Sequence, residues 1–356
     1  MTPDISENPA TQRRLHVTRV ADVEERPIEW LWPGRIALGK MTLFQGDPSV
    51  GKSTVTLDIA ARVTQGSPWS DRADLHAPRG DVLLLSAEDS VADTIRPRLR
   101  AAGADLARVH VIDGVRTVRS DHLEAVKLGD HLAHLEAELR ARPEIRLLIV
   151  DPISAYMGSV DSHSNADVRG VLAPLSGLAD RFGVAVIAVT HMNKGTGGKA
   201  IYRATGSLAF VAAARAAWSF SRDPGDKNRC IMSLVKNNLA APLPGLAYRM
   251  TGDPPRIEWD PEPVNITADE ILAEESGECE RSELDEGTEF LRATLAEGPM
   301  ASNELYERAK AAGISRSTLK RAKKPAGVEA RLPEFQGKWT WFLRQSGPKE
   351  PEKPNP

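Results

Sequence analysis

Residues 46–53 read Gly-Asp-Pro-Ser-Val-Gly-Lys-Ser and fill every fixed position of the pattern G-x-x-x-x-G-K-[ST]. Each fixed residue has its own physical task. Gly46 and Gly51 permit backbone dihedrals that turn successive N–H groups inward, where they cradle phosphate oxygens. Lys52 supplies a point charge for the β- and γ-phosphates, and the Ser53 hydroxyl is the expected ligand of Mg²⁺. The flanks agree with this. The apolar run Met41-Thr42-Leu43-Phe44 predicts a buried strand entering the loop, and Ser53 to Thr64 carries helical periodicity leaving it. A phosphate held there sits at a helix N-terminus, where free N–H groups and the macrodipole favour an anion. The expected contacts of a nucleoside triphosphate are therefore Gly46, Asp47, Pro48, Ser49, Val50, Gly51, Lys52, Ser53 and Thr54.

The 356 residues, 41% hydrophobic and 27% charged, are enough for a large core plus a smaller module. No apolar run approaches the roughly 20 residues that span a bilayer, and Met1 to Arg14 is polar, so no membrane partner and a cytoplasmic location are expected. Cys230 and Cys279 have no spacing that points to a metal site, which fits a reducing compartment. The net charge of −3 hides an asymmetry. Asp260 to Glu289 holds 12 acidic residues against one basic, whereas Ala301 to Arg344 holds 10 basic against 4 acidic. The expected organisation is a partly disordered N-terminal segment over 1–27 and an α/β domain over 28–260. An acidic linker with one short helix follows over 261–286, then a basic module over 287–345 and a disordered tail over 346–356.

Within 28–260, strand and helix patterns alternate. Asp81 to Ser86 and Leu147 to Val150 are continuous apolar runs, the signature of strands buried on both faces of a parallel sheet. Val109 to Ile112 and Val184 to Thr190 are further strands. Helices are predicted from a Ser90 cap to about Ala102, over Asp121 to Arg142, and around Val168 to Phe182. This predicts a mostly parallel sheet with helices on both faces. After about residue 215 the helices stop. Trp218 to Phe220, Cys230 to Val235 and Arg256 to Trp259 predict an antiparallel extension of the same sheet.

Three polar residues end apolar strands, at the edge where open α/β sheets bind ligands. Asp151 closes the run Leu147 to Val150 and is the expected Mg²⁺ partner opposite Ser53, through water; a turn or cap residue is the plainer reading. Glu88 follows the strand ending at Ser86, taken as the strand beside the phosphate loop. It is the candidate base that activates the attacking water, with Asp89 as competitor. His191 follows Ala188-Val189-Thr190 and can hydrogen-bond the γ-phosphate and report its loss. The loop Asn193 to Gly206 carries four glycines with Lys194, Lys199 and Arg203, and can present cations to a phosphate chain or be a solvated loop.

In this order the motifs resemble those of the RecA-type ATPases, and most of all the RepA-type hexameric replicative helicases of plasmids and phages. Trp30-Leu31-Trp32-Pro33-Gly34-Arg35, Gly39-Lys40-Met41, Ala87-Glu88-Asp89-Ser90, Ile149-Val150-Asp151-Pro152 and Thr190-His191-Met192-Asn193-Lys194 carry the likeness, over about residues 28–260. The resemblance implies ATP and Mg²⁺ as ligands and a ring or filament, expected as a hexamer, with ATP between subunits. It also implies a cation from the neighbour in each site. Arg215, in an otherwise apolar segment that would leave a charge wanting a partner, matches the arginine-finger position. Lys236-Asn237-Asn238 matches a strand where several relatives carry Lys-Asn-Arg, with Asn238 in place of the arginine.

The basic module predicts three helices, Glu289 to Ala296, Ser302 to Ala311 and Arg316 to Lys324. Two strands follow, around Val328 to Leu332 and Lys338 to Leu343. This pattern resembles a winged helix-turn-helix, with Arg316, Ser317 and Lys320 on the helix that would meet DNA; a protein-binding winged helix has the same pattern. Lys199 and Arg203 are the expected contacts to single-stranded DNA inside a ring. Together these features predict a DNA-dependent motor or helicase in mobile-element or phage replication. An ATP-gated, DNA-binding switch or loader shares the same site, and a small-molecule P-loop kinase is the rival enzyme class.

Overall fold

The computed structural model describes residues 17–116, 123–160, 164–191, 208–331 and 339–344, with backbone alone for Leu208 and residues 275–282. In chain order, the hairpin β1 (Trp30–Trp32) and β2 (Ile36–Ala37) precedes β3 (Met41–Gly46) and α1 (Lys52–Gln65). A second hairpin, β4 (Pro68–Trp69) and β5 (Arg72–His76), leads to β6 (Asp81–Ser86), α2 (Arg96–Ala101) and β7 (Val109–Val111). The pair β8 (Val115–Arg116) and β9 (Leu123–Glu124) precedes α3 (Leu128–Ala141), β10 (Ile145–Asp151), α4 (Asn165–Phe182) and β11 (Ala185–His191). After α5 (Leu208–Ala213) come β12 (Ala216–Asp223), β13 (Asp226–Asn237), β14 (Gly245–Thr251) and β15 (Arg256–Val264). The C-terminal part holds α6 (Ala268–Ala296), β16 (Met300–Ala301), α7 (Ser302–Ala311), α8 (Arg316–Ala322), β17 (Val328–Arg331) and β18 (Thr340–Leu343).

Nine strands form the central sheet in the order β15-β14-β13-β12-β3-β11-β10-β6-β7. From β12 to β7 every neighbouring pair is parallel, while β13, β14 and β15 continue antiparallel. Alternate residues of β10 feed two cores. Leu147 and Ile149 pack in the cluster that holds α1 residues Val55, Ile59 and Val63. Leu148 and Val150 pack in the one that holds Leu172, Leu175 and Leu178 of α4. A strand buried on both faces has no polar face to show, which is why its sequence reads as one apolar run. No described helix is long and apolar enough to cross a membrane.

Arg35 is a charged side chain buried in the core. Its side chain is 2% exposed, and Nε donates to Asp71 Oδ2 at 2.8 Å. Its guanidinium lies 5.6 Å from the Trp32 ring centroid and 4.9 Å from that of Trp218. Trp32 Nε1 also donates to Asp71, at 2.8 Å. The charge is thus both paired and stacked, the condition under which burial is tolerated.

Several expectations are corrected. The helix predicted over Asp121 to Arg142 begins at Leu128, because Leu123–Glu124 pairs with Val115–Arg116 and is held extended; Asp121 lies outside the described residues. Ser90 makes no side-chain cap; a π-helical turn over Val91–Ile95 runs straight into α2. β6 does not lie beside β3, since β11 and β10 stand between them. Where an acidic linker with one short helix was expected, α6 runs unbroken from Ala268 to Ala296, started by a capping box of Thr267 and Glu270. Ala268 and Leu272 pack near Val235, and Ile271 packs on Ile231 and Ala247, so the helix is anchored on the sheet. Its far end, Leu291 and Leu295, belongs to a separate core with Leu305, Leu319, Val328 and Trp341.

Candidate active site

The phosphate loop leaves the C-terminal end of β3 at Gly46, where no other residue fits. A Cβ there would lie 2.2 Å from the Phe220 carbonyl oxygen of β12. Gly51, just before α1, has φ 83°, the left-handed conformation that glycine adopts without steric cost. With the loop so bent, Lys52 Nζ donates to the carbonyls of Gly46 at 2.9 Å and Asp47 at 2.7 Å. Burial pulls the Lys52 ammonium down to about 8, against the opposing pull of Asp151, Asp47 and Glu88.

The parallel register brings the other strand ends to this loop. His191 of β11 sits opposite Gly46, and Asp151 of β10 opposite Ser86. Lys52 Nζ approaches His191 Nδ1 at 3.4 Å. An ammonium can only donate, so Nδ1 is the acceptor and the ring proton lies on Nε2. Nε2 faces Glu88 Oε1 at 3.9 Å. Burial, and then the charge of Lys52, lower the His191 pKa and keep the ring neutral near pH 7, with Glu88 pulling the other way. His191 therefore stands between the phosphate-binding lysine and the candidate base. Glu88 is mostly exposed, free to meet a water, whereas Asp89 is paired with Arg98 at 3.1 Å.

Asp151 accepts a hydrogen bond from the Ser53 hydroxyl, and burial pushes its carboxyl up to about 6 despite Ser53 and Lys52. This hydroxyl and carboxylate form a hard oxygen pair, which fits Mg²⁺ held jointly by protein and substrate phosphates.

Arg215 lies elsewhere. Its N–H donates to the Met41 carbonyl at 2.9 Å, at the start of β3, whereas the phosphate loop begins at that strand's end. Its side chain is exposed while Ala214 and Ala216 are buried, so the apolar surroundings expected from the sequence do not enclose it. Lys236, beside it, donates to the carbonyls of Val211, Ala212 and Ala214 and caps the end of α5. Lys199 and Arg203 fall outside the described residues. In the C-terminal part, Arg316 is stacked 4.1 Å from the Tyr306 ring centroid, and Lys320 is exposed.

Sequence reasoning missed the residues that back the loop. Strand β14 has no expectation attached to it, yet Tyr248 Oη donates to the Val50 carbonyl at 2.5 Å. The signal was present in the short apolar run Leu246 to Tyr248, hidden by Gly245 and the prolines around it.

Comparison with known proteins agrees with this geometry. A family model described as an AAA domain matches residues 7–197, over half of the 356-residue chain. The DNA repair protein RadA of Halalkalibacterium halodurans is 28% identical over 179 residues, covering 49% of this chain and 32% of that protein. RadA of Listeria monocytogenes is 25% identical over 185 residues, covering 50% and 35%, and RadA of Mycobacterium tuberculosis 24% over 197, covering 48% and 41%. The chain thus spans between 32% and 41% of the length of these relatives. The family match contains every strand end that builds the phosphate site, and the chain belongs to the AAA domain family as a RecA-type P-loop ATPase.

Proposed function

We propose that this ATPase works as an oligomer on DNA, as a motor or helicase of the RepA type in phage or mobile-element replication. The position of Arg215 is the observation that carries the reading. The register Ala216↔Thr42 to Phe220↔Gly46 puts Arg215 level with Met41, at the far end of β3 from the loop. At about 3.3 Å per residue, that is about 15 Å from the loop of its own chain, and this distance supports a role in a neighbour's site and not in its own. A head-to-tail contact of that kind closes into a ring or runs on as a filament; in this proposal it closes as a hexameric ring.

In that site Lys52 and the loop N–H groups bind the β- and γ-phosphates of ATP, and Glu88 takes the proton of the attacking water. His191 holds Lys52 and Glu88 in one line and senses the γ-phosphate. Ser53 and Asp151 would hold Mg²⁺, which when bound neutralises charge on the phosphates. The helix pair α7–α8 with the sheet β16-β18-β17 supports a winged helix-turn-helix assignment, with the cations of α8 toward duplex DNA. That the RadA relatives are DNA repair proteins supports a DNA-associated ATPase of either kind.

The second reading is an ATP-gated switch or loader that binds DNA without moving along it. It is favoured by α6, which joins the sheet to the C-terminal core as one unbroken helix. ATP turnover with increasing single-stranded DNA, in wild type and in a Lys199→Ala/Arg203→Ala variant, separates the two. Stimulation lost in the variant supports the motor. Turnover indifferent to DNA in both proteins leaves the switch.

A further inference from the structure

The antiparallel half of the sheet touches the phosphate loop at consecutive peptide groups. Tyr248 of β14 is 0% exposed, and its hydroxyl donates to the Val50 carbonyl at 2.5 Å. Arg222, near the end of β12, reaches the Ser49 carbonyl at 3.4 Å with Nη2 while Nη1 is held by the Lys227 carbonyl at 2.8 Å. In a trans peptide the C=O and the next N–H point in opposite directions. A Val50 carbonyl fixed outward by Tyr248 therefore turns the Gly51 N–H inward, and a Ser49 carbonyl fixed by Arg222 does the same for the Val50 N–H. These two N–H groups belong to the cradle that binds phosphate oxygens.

We infer that Tyr248, with Arg222 beside it, is a positioning residue for the nucleotide. It sets the direction of the loop amides before phosphate arrives, so that binding does not have to order them. Preorganised donors lower the cost of association, and here the preorganisation comes from outside the loop. The same strand offers a route by which the C-terminal part reaches the ATP site. Ala247, the neighbour of Tyr248 on the opposite sheet face, packs against Ile271 in the first turns of α6. Tyr248 is locked from the sides as well, with ring centroids 5.3 Å from Trp259 and 6.3 Å from Phe220. A shift of α6 on the sheet would be felt at the Val50 peptide.

The inference rests on the nucleotide site alone and not on the motor reading, so its test uses ADP and no DNA. MgADP affinity by calorimetry, and KM and kcat for ATP, are measured on the full chain for wild type, Tyr248→Phe and Arg222→Gln. Phenylalanine fills the same space and removes only the hydroxyl. The ADP Kd and the ATP KM of Tyr248→Phe should rise together by about fivefold to tenfold, the size of one lost hydrogen bond, with kcat within about twofold. Arg222→Gln, at an exposed position, should raise both by about twofold to threefold. Leu175→Val in α4, matched in thermal destabilisation, should leave the ADP Kd unchanged. Unaltered Kd and KM in Tyr248→Phe, with a fall in Tm like that of Leu175→Val, would reduce the tyrosine to a core residue. If Tyr248→Phe does not fold, Arg222→Gln decides: wild-type affinity there overturns the inference.

Discussion

The Arg215 N–H donates to the Met41 carbonyl at 2.9 Å, and this one bond ties the arginine to the opposite end of β3 from Gly46. The strand that presents the phosphate loop at one edge of the sheet thus presents an exposed cation at the other.

Arg215→Ala should leave ATP affinity unchanged and lower kcat by about a thousandfold, the range of a cation supplied in trans. The sharper check is mixing. Arg215→Ala and Lys52→Ala copies should each be inactive alone, and in the proposed oligomer a mixed interface would pair one copy's Lys52 with the other's Arg215. Recovery of ATPase activity on mixing is expected; no recovery at any ratio would remove the shared site.

Lys52→Ala should abolish nucleotide binding, because no other buried cation faces the loop among the described residues. Glu88→Gln should bind ATP normally and hydrolyse it at least a hundredfold more slowly, the size of a general-base effect. Equilibrium binding and single-turnover hydrolysis separate these outcomes. Wild-type hydrolysis by Glu88→Gln would shift the base to another residue.

Asp151 is held at about 6 against an ordinary value of 3.8. The folded chain binds this proton more tightly than the unfolded one. The contribution of Asp151 to stability is therefore present below about pH 4 and is lost as pH rises through 6. In nucleotide-free, metal-free protein, Asp151→Asn should flatten that fall and raise stability at pH 7 by about 1–2 kcal/mol, while abolishing Mg²⁺-dependent nucleotide binding. Urea unfolding at pH 4, 6 and 7.5 reads the first effect, and a variant less stable than wild type at every pH contradicts it.

Lys320 and Lys324 are exposed on the C-terminal part, whereas Arg316 is stacked on Tyr306 and Lys323 lies 5.0 Å from the Trp341 ring centroid. Lys320→Ala/Lys324→Ala should weaken duplex binding and lower the slope of log K against log salt by about 2, one for each phosphate contact. Anisotropy titrations from low to physiological salt measure it. An unchanged slope would make the basic face a solvated surface.

Asp71→Ala should be among the costliest substitutions far from the nucleotide. It leaves Arg35 buried without its carboxylate and removes the acceptor of Trp32 Nε1. A loss of about 3–5 kcal/mol is expected, with Arg35→Met milder because it removes the charge along with the pair. Chemical denaturation of the two variants tests the order.

The sequence by itself determined the phosphate loop, the parallel strands that end in Ser86, Asp151 and His191, and the two short helices α7 and α8 of the C-terminal part. These features are local: a fixed spacing of glycines and a lysine, an apolar run with no polar face, or a helical period can each be read over ten or fewer neighbouring residues. Tertiary structure alone decided the rest, because each remaining feature joins residues far apart in the chain. Glu88 meets His191 across the one intervening strand β10, and Leu123 is drawn out of a helical pattern by pairing with Arg116. Tyr248 finds Val50 across 198 residues. Strand order and register made those contacts, and a periodicity carries no information about which strand lies beside which.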